Sequence, residues 1–166
     1  MAKILPIKIF SCPILRQKSR DLTSAELKSK EIQRLISDMQ KTMSVKDGAG
    51  LAAPQVGHNI KVIVISTKDG AIVLVNPKIL RKSWKKELQE EGCLSLPEVF
   101  GLVKRSVKVN VVGLDAAGKM MKFKASGYFA RVLQHEIDHL DGTLFIDKAI
   151  KITQGEERLE QMKKKT

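Results

Sequence analysis

The segment QHEIDHLDG at positions 134–142 constrains the fold of this chain more than any other part of the sequence. It contains a His-Glu-x-x-His pattern in which His135 and His139 are separated by one helical turn. On a helix this spacing puts both imidazoles on one face, where they can bind a single metal ion. Glu136 lies beside the first imidazole and can accept a proton from water bound to that ion. Because two imidazoles do not complete a metal site, the fold has to bring a third ligand to this helix.

Two kinds of residue can supply the third ligand. Cys93 lies in EEGCLSLPE, where Gly92 lets the backbone pass close to a site. A thiolate with two imidazoles leaves one position open for water, which is the catalytic arrangement, although a free cysteine is often only a small buried hydrophobic residue. Some zinc peptidases instead use a glutamate downstream, and here the candidates are Glu156, Glu157 and Glu160. Those three lie in a lysine-flanked tail, which is a poor environment for a buried ligand.

A non-enzymatic alternative is a basic protein that holds a structural metal and binds RNA. A structural site takes four protein ligands, and His58 is the one obvious further donor. Because His58 follows Gly57, we expect it in an exposed loop. The segment RKSWKK at positions 81–86 interleaves an aromatic residue with basic ones. We expect Trp84 to pack its ring against a sheet while the lysines stay solvated.

The chain is strongly basic, with 30 Lys and Arg against 18 Asp and Glu and a net charge of +12. Such a balance favours contact with polyanions such as nucleic acid or an anionic membrane. The alternative is a solvated, lysine-rich surface, because the basic residues are spread along the whole chain rather than gathered in one block. Charge by itself does not choose between these two interpretations.

The length of 166 residues and the hydrophobic content of 43% predict one domain, residues 1–166, with a basic tail or helix from about 156 to 166. The apolar runs are too short for a transmembrane helix, and MAKILPIKIF lacks the apolar core of a secretory signal. Cys12 and Cys93 do not indicate a disulfide scaffold and fit a reducing cytosol. We therefore expect a cytoplasmic protein, or an organellar one if a presequence has been removed.

The local patterns predict an α+β fold, in which antiparallel β-hairpins pack around the metal-binding helix in a single compact domain. Thr23 and Glu26 match a capping box, and apolar residues at helical spacing predict an N-terminal helix over about 24–44. The metal-binding helix is predicted from about Ser126 through Leu140, with Gly142 as its stop. The final segment, QGEERLEQMKKKT, is predicted to form a short amphipathic helix or to fray.

Two hairpins are predicted from β-branched runs. The runs IKVIVIS (60–66) and AIVLVNP (71–77) flank the turn sequence Lys-Asp-Gly. The alternating run VKVNVVGLD (107–115) is followed by Ala-Ala-Gly and then by KMMKFKA (119–125), which completes the second hairpin.

The segment DGAGLAAPQVG at positions 47–57 is too rich in small residues for an ordinary helix or strand. Gly48 and Gly50 would let a ligand lie against the main chain. Gln55 carries a neutral amide, which is suited to donating a hydrogen bond to developing negative charge. Small-residue loops are common, so this segment indicates a function only together with the other two.

Together the three segments resemble the motifs of the peptide deformylases, a family that removes the formyl group from the N-terminal methionine of new polypeptides. The family is marked by Gly-x-Gly-x-Ala-Ala-x-Gln, Glu-Gly-Cys-x-Ser and Gln-His-Glu-x-Asp-His. Here the same order is kept by GAGLAAPQ (48–55), EGCLS (91–95) and QHEIDH (134–139). The resemblance spans nearly the whole chain. Among the departures, Phe100 stands where some members carry an arginine that faces the substrate.

The resemblance implies roles for individual residues. It makes Cys93, His135 and His139 the metal ligands, and Glu136 the general base that later protonates the leaving amine. It makes Gln55 and the backbone N–H of Leu94 the donors to the oxyanion. The residues that it implies for substrate binding are Gly48, Ala49, Gly50, Leu94, Tyr128 and Val132. Asp138 is expected to support the site together with Arg105.

The resemblance also implies a cofactor and partners. Ligand chemistry alone favours zinc, whereas the family points to one Fe²⁺ ion in the native protein, with Zn²⁺, Ni²⁺ or Co²⁺ able to occupy the site. The implied substrates are nascent peptides that begin with N-formylmethionine. A ribosome contact through the basic surface and the C-terminal tail is a further expectation. No membrane partner is expected, and the sequence indicates no oligomeric state.

Overall fold

A computed structural model describes residues 1–164, in which two α-helices precede a run of antiparallel strands and two more α-helices, with a strand between them, follow it. The α-helices described there are α1 (Ser24–Leu27), α2 (Lys30–Val45), α3 (Gly127–Leu140) and α4 (Glu156–Lys163). The strands are β1 (Gly50–Ala52), β2 (Val62–Thr67), β3 (Gly70–Lys82), β4 (Lys86–Cys93), β5 (Leu96–Ser106), β6 (Lys108–Leu114), β7 (Met120–Ser126) and β8 (Ala149–Gln154). The fold is therefore α+β, as predicted. Lys165 and Thr166, the end of the predicted basic tail, lie outside the described residues.

The strands form two antiparallel sheets. The five-stranded sheet has the order β1-β2-β3-β6-β7, and the three-stranded sheet has the order β4-β5-β8. Both predicted hairpins are confirmed, since β2 pairs with β3 and β6 pairs with β7. The first hairpin turns between Thr67 and Gly70, where Gly70 adopts a φ of 115° that a residue with a side chain rarely takes. Strands β1 and β4 lie at sheet edges.

The predicted continuous helix over 24–44 was wrong in one respect, because the chain forms two helices there. The capping box is present: the Thr23 side chain accepts a hydrogen bond from the Glu26 backbone N–H, and Glu26 bonds back to Thr23. The first helix then ends, and the side chain of Ser29 accepts from the N–H of Ile32 to begin α2. Gln33 donates to the Leu27 carbonyl at 2.8 Å and so satisfies the end of α1. Serine caps helices better than it continues them, which explains the break.

Helices α2 and α3 cover opposite faces of the five-stranded sheet. In β2, Val62 and Val64 belong to the cluster that includes Met39 of α2. The alternate residues Ile63 and Ile65 belong to a second cluster, packed with residues of α3. Because side chains of a strand point alternately to the two faces, a strand buried on both sides reads as an unbroken apolar run. This explains the VIVI sequence at the centre of the fold.

The metal-binding helix predicted from about Ser126 to Leu140 is confirmed as α3. Ser126 takes the N-cap position, and the chain leaves the helix at Gly142, whose φ is 72°. A Cβ at Gly142 would lie 2.6 Å from the carbonyl oxygen of Arg16. Glycine therefore both ends the helix and lets the N-terminal segment pass close by.

The C-terminal segment forms α4 rather than fraying within the described residues. Leu159 is buried in a third apolar cluster, against β5 and the N-terminal segment. Gly155 has a φ of 79°, and a Cβ there would overlap the carbonyl of Glu98. The helix is thus docked on the three-stranded sheet.

No helix within residues 1–164 is long and apolar enough to cross a membrane.

The prediction that Trp84 packs against a sheet was wrong. Its side chain is fully exposed, with a relative accessibility of 100%. Trp84 lies between β3 and β4, so it sits where the chain passes from one sheet to the other. The sequence also did not reveal the three-stranded sheet, because β4 reads KELQEEGC and lacks an apolar alternation.

Candidate active site

Three potential metal ligands converge between α3 and the end of β4. A ligand atom from each of Cys93, His135 and His139 lies within 4.8 Å of the other two. The Cys93 Sγ is 3.2 Å from the His139 Nε2. The fold therefore brings to the helix the cysteine that the sequence favoured as third ligand.

The alternative ligands lie elsewhere. Glu156, Glu157 and Glu160 are exposed on α4, and His58 is exposed in its loop as predicted. None of these residues is part of the cluster of ligand atoms found within residues 1–164. A glutamate ligand from the tail and a four-ligand structural site that uses His58 are both incompatible with this arrangement.

The donor set fits one divalent transition-metal ion. One thiolate and two imidazoles are ligands that zinc, iron, nickel and cobalt accept, and three protein ligands leave a position open for water or substrate. A hydrogen bond of 2.9 Å joins His135 Nδ1 to Glu91 Oε2. Such a bond on one ring nitrogen orients the other nitrogen toward an ion. His139 Nδ1 is buried without a hydrogen-bond partner among the described residues.

The two imidazoles have opposite tendencies to protonate. Burial lowers the pKa of His139, and the neighbouring His135 lowers it further. Burial also acts to lower the pKa of His135, but hydrogen bonds to Cys93 and Glu91 outweigh it and raise that pKa above the ordinary value. His135 therefore favours the protonated form beside Glu91, whereas His139 favours the neutral form in which an imidazole binds a metal ion.

A buried network of charged groups supports the cluster, with Glu91 at its centre. Arg105 donates to both carboxylate oxygens of Glu91, at 2.7 and 2.9 Å, and Arg131 donates to one of them at 2.7 Å. Arg105 also donates to Asp138 at 2.5 Å, which is the pairing that the resemblance implied. Burial alone would raise the pKa of Glu91, but hydrogen bonds from Arg105 and His135 hold that pKa well below its usual range. Glu91 is therefore a fixed negative charge behind His135.

Sequence reasoning missed the role of Glu91; it placed Arg131 near the rim of the pocket, whose lining does include it, but did not predict its buried pairing with Glu91. Glu91 lies two residues before Cys93, but nothing in EEGCLS shows that its side chain points inward while that of Glu90 stays exposed. The pairs that join Glu91 to Arg131 and to His135 are 40 and 44 residues apart in the chain. The available signal was the alternation of β4, which requires that β4 be recognised as a strand.

Glu136 lies in the site with a free carboxylate oxygen. Its Oε2 is buried and has no hydrogen-bond partner among the described residues. Burial raises the pKa of Glu136 to about 7. A Cβ placed on Gly50 would lie 2.6 Å from Glu136 Oε1, so the carboxylate occupies space that only glycine leaves free. A carboxylate with such a pKa can both accept and donate a proton near neutral pH.

Gln55 presents its amide N–H₂ group to the cluster. It lies in the short 3₁₀ helix Ala53–Val56 that follows β1. Its Oε1 accepts a hydrogen bond from the Ala52 backbone N–H at 2.8 Å. Its Nε2 therefore faces the other way and donates to Ser95 Oγ at 3.2 Å and to Cys93 Sγ at 3.4 Å. Ser95 is a buried partner that sequence reasoning did not identify.

A cavity of about 490 Å³ opens in front of these groups, between β1 and β4. All of the residues predicted to bind the substrate line it, together with Gln55, Cys93, His135 and Glu136; they are Gly48, Ala49, Gly50, Leu94, Tyr128 and Val132. Phe100 also lines the cavity and lies so close to Gly92 that a Cβ there would be 2.7 Å from the ring. The predicted site residues are thus brought into one place.

A family profile described as polypeptide deformylase matches residues 4–155. The chain belongs to the polypeptide deformylase family. The peptide deformylase of Halothermothrix orenii is 44% identical over 158 residues, which cover 94% of this chain and 99% of that protein.

Solved structures of the family have the same fold. A crystal structure of peptide deformylase from Thermotoga maritima aligns with a TM-score of 0.85 and 37% identity, over 89% of this chain and 99% of that one. A class I type b peptide deformylase from Acinetobacter baumannii, bound to Met-Ala-Ser, aligns with the same score, identity and coverage. The chain is accordingly a metal-dependent hydrolase that removes the N-formyl group from newly synthesised polypeptides.

Proposed function

We propose that Cys93, His135 and His139 hold one divalent ion, which is Fe²⁺ in the native protein, and that Zn²⁺, Ni²⁺ or Co²⁺ can replace it. The observation that supports this proposal is the convergence of one sulfur and two nitrogen donors within 4.8 Å. When bound, such an ion lowers the pKa of a coordinated water and polarises the formyl carbonyl. Oxygen and peroxide oxidise Fe²⁺ and expose the bound thiolate to oxidation, whereas Ni²⁺ does not react in this way, so the iron form should lose activity in air faster than a nickel form.

The substrate lies extended in the cavity. Strand β1 is an edge strand that begins at Gly50, and Gly48 and Ala49 precede it along the cavity wall, so the main chain around Gly50 can pair with a peptide backbone as an added strand. Tyr128 and Val132 are on the side of α3 that lines the cavity and would contact the methionine side chain. The formyl group then points to Glu136 and the metal ligands at the inner end.

Glu136 moves the protons of the reaction. Its carboxylate accepts a proton from the attacking water and later gives it to the departing amine. A pKa of about 7 suits both tasks, because the group can change protonation state at neutral pH with little cost. The unpartnered Oε2 is the atom that can take the proton.

Gln55 and the backbone N–H of Leu94 donate hydrogen bonds to the negative charge that develops on the formyl oxygen. The Gln55 amide is held in place by the Ala52 N–H, so it needs little reorganisation during the reaction. Donors that are fixed in this way stabilise the transition state more than mobile water does, and losing one typically costs about 10²–10³ in rate.

Residues 1–166 act as one catalytic domain in this proposal, and the enzyme works in the cytoplasm, or in an organelle if a presequence precedes the chain. Its nascent substrates emerge from the ribosome, and a net charge of +12 favours contact with that polyanion. Within α4, Arg158 pairs with Glu98 and Lys163 with Glu160. Two cations of the described part of the tail are therefore already paired, and we expect other basic surface to contribute to a ribosome contact.

The experiment that tests the function measures formate release from formyl-Met-Ala-Ser by the metal-loaded protein. Cys93→Ala should lose the ion on purification and lose activity, whereas Cys12→Ala should keep both, because Cys12 lies outside the ligand cluster. Metal content is measured on the same samples by mass spectrometry. Full metal content in Cys93→Ala together with metal loss in Glu160→Ala would replace this proposal with the zinc peptidase alternative.

A further inference from the structure

The exposed Trp84 lies in a segment of four cations, residues 81–86 (RKSWKK), which we name the basic loop. It joins β3 of the five-stranded sheet to β4 of the three-stranded sheet. Trp84 is the single tryptophan of the chain and is 100% exposed. The exposed indole among four cations therefore offers a free aromatic face for stacking, and tryptophan is enriched where a protein surface meets a partner.

Hydrogen bonds hold the basic loop in place on both sides of Trp84. The Ser83 N–H donates to the Lys108 carbonyl at 2.9 Å, and the Lys108 N–H donates to Ser83 Oγ at 3.1 Å. On the other side, the Val107 N–H donates to the Lys85 carbonyl at 3.0 Å. The indole is therefore presented by a fixed backbone, which lowers the entropy that binding costs.

A second set of cations continues from the basic loop across one face of the five-stranded sheet. A β-bulge in β3 places Lys78 opposite Val112 and Arg81 opposite Asn110. Residues directly opposite one another share a face, and Asn110 and Val112 in turn lie opposite Lys124 and Lys122 of β7. Lys108 is on the same face because it is two residues from Asn110. We name this set the cationic strip; it consists of Lys78, Arg81, Lys108, Lys122 and Lys124.

The basic loop and the cationic strip carry charge of one sign. Strands β3, β6 and β7 contain no Asp or Glu. Within residues 1–164, no cation of the loop or the strip forms an ion pair, whereas Arg16, Arg20 and Arg158 each pair with a carboxylate. Side chains on neighbouring strands or two apart on one strand are spaced by about 5–7 Å. This surface is therefore complementary to a flexible polyanion.

We propose that the basic loop and the cationic strip bind single-stranded RNA, with an unpaired base stacked on Trp84 and phosphates held by the neighbouring lysines and Arg81. An aromatic platform beside a basic track is the usual means by which proteins bind single strands without sequence preference. A protein partner fits less well, because the centres of protein interfaces are depleted of charge. A membrane fits less well, because the indole has cations rather than apolar residues on both sides in the chain.

Binding at this surface is compatible with hydrolysis. None of the residues of the loop or the strip lines the catalytic cavity. Strand β4 separates Lys86 from Cys93, and its eight residues span roughly 23 Å. RNA at one end of the molecule and a formyl peptide at the other can thus be bound together. This inference is independent of the identity of the metal and of the roles proposed for Glu136 and Gln55.

The test titrates the full-length, metal-loaded protein with a ten-nucleotide oligouridylate. Because Trp84 is the single tryptophan, stacking should quench the intrinsic fluorescence of the protein directly. Anisotropy of the same RNA carrying a fluorescent label gives the affinity of variants. Trp84→Ala should weaken binding about 5- to 150-fold, which corresponds to the loss of one stacked base. The logarithm of the affinity should fall with the logarithm of salt concentration, with a slope of about −0.7 per phosphate contacted.

The triple variant Lys82→Gln, Lys85→Gln, Lys86→Gln should lower this slope, while the control Lys163→Gln, Lys164→Gln on α4 should leave it unchanged. All variants should release formate from a short formyl peptide at the wild-type rate. RNA affinity that is unaffected by both Trp84→Ala and the triple variant would overturn the proposal. So would binding to vesicles of phosphatidylcholine and phosphatidylglycerol in the absence of RNA binding, which would assign the surface to a membrane.

Discussion

Arginines occur in two contrasting settings in this molecule. Around Glu91, the side chains of Arg105 and Arg131 are only 3% and 6% exposed, and each donates to a carboxylate within 2.7 Å. In the basic loop, Arg81 and its neighbouring lysines are exposed, and none pairs with a carboxylate among residues 1–164. The same type of side chain thus positions a buried site in one region and covers an open surface in the other.

The difference follows from the cost of desolvation. Removing a charged group from water costs several kcal/mol, and only an oppositely charged, hydrogen-bonded partner can offset that cost. Arg105 and Arg131 are accordingly partnered by the carboxylates of Glu91 and Asp138 and, for Arg131, by two backbone carbonyls as well, which fixes their geometry. An exposed lysine keeps its hydration and its mobility, so it can follow the shape of a partner. The buried charges can therefore hold the groups around the metal ligands in place, whereas the exposed charges can adjust to a bound polyanion.

Replacing Glu136, the acid beside the buried network, should have the largest effect. Glu136→Gln keeps the size of the side chain but cannot accept a proton, so turnover should fall about 10²–10⁴-fold. Metal content and substrate binding should be retained, because Glu136 is outside the ligand cluster. Formate release, metal analysis and peptide binding measure the three quantities. Near-normal turnover would remove Glu136 from the mechanism.

Replacing Glu91 should have the next largest effect, and it acts on stability. Glu91→Gln leaves two buried arginines with an incomplete partner, so the free energy of unfolding should fall by about 3–5 kcal/mol. The matched control is Glu87→Gln, four residues earlier on the same strand, where the side chain is exposed. Urea unfolding followed by far-ultraviolet circular dichroism measures both variants after the ion has been stripped. Equal stability of the two variants would mean that the buried network does not stabilise the fold.

The sequence predicted the elements whose signals are local. The capping box at Thr23, the β2–β3 and β6–β7 hairpins and the helix that carries His135 all depend on residues close together in the chain. Ligand chemistry favoured Cys93 as the third ligand but left the glutamates of the tail open, and the resemblance to the family then implied the full ligand set. The convergence of Cys93 with the two histidines is consistent with that reasoning.

Long-range arrangement was not available from the sequence. Strand β4 is an exposed edge strand and so has no apolar alternation to reveal it, which also hid the inward direction of Glu91. Trp84 was expected to pack its ring against a sheet, but it lies in the connection between β3 and β4, where its side chain is fully exposed. Ser29 was read as part of a helix, since a cap and an interior serine look alike within a periodic run.

Adding a single methyl group at Gly50 should have an intermediate effect, confined to catalysis. In Gly50→Ala the Cβ would lie 2.6 Å from Glu136 Oε1, so the carboxylate has to move. A displacement of about 1 Å in a catalytic group can lower the rate about 10²-fold. In the control Gly48→Ala, the nearest side-chain atom is a Leu94 methyl at 3.1 Å, which can shift more easily. A smaller loss of turnover in Gly50→Ala than in Gly48→Ala would contradict the placement of Glu136.

The smallest effects are expected for exposed arginines, whether or not they have a partner. Arg158 lies 2.5 Å from Glu98, but the two side chains are 46% and 69% exposed. Such a pair is hydrated on most sides, so Arg158→Ala should lower the free energy of unfolding by less than about 1 kcal/mol, and high salt should reduce that difference further. Arg81→Ala, which removes an exposed arginine without an ion pair, should change stability by no more than about 0.5 kcal/mol. Urea unfolding at low and high salt measures both variants. If Arg158→Ala lost as much stability as Glu91→Gln, burial would not be what distinguishes the contribution of the two regions.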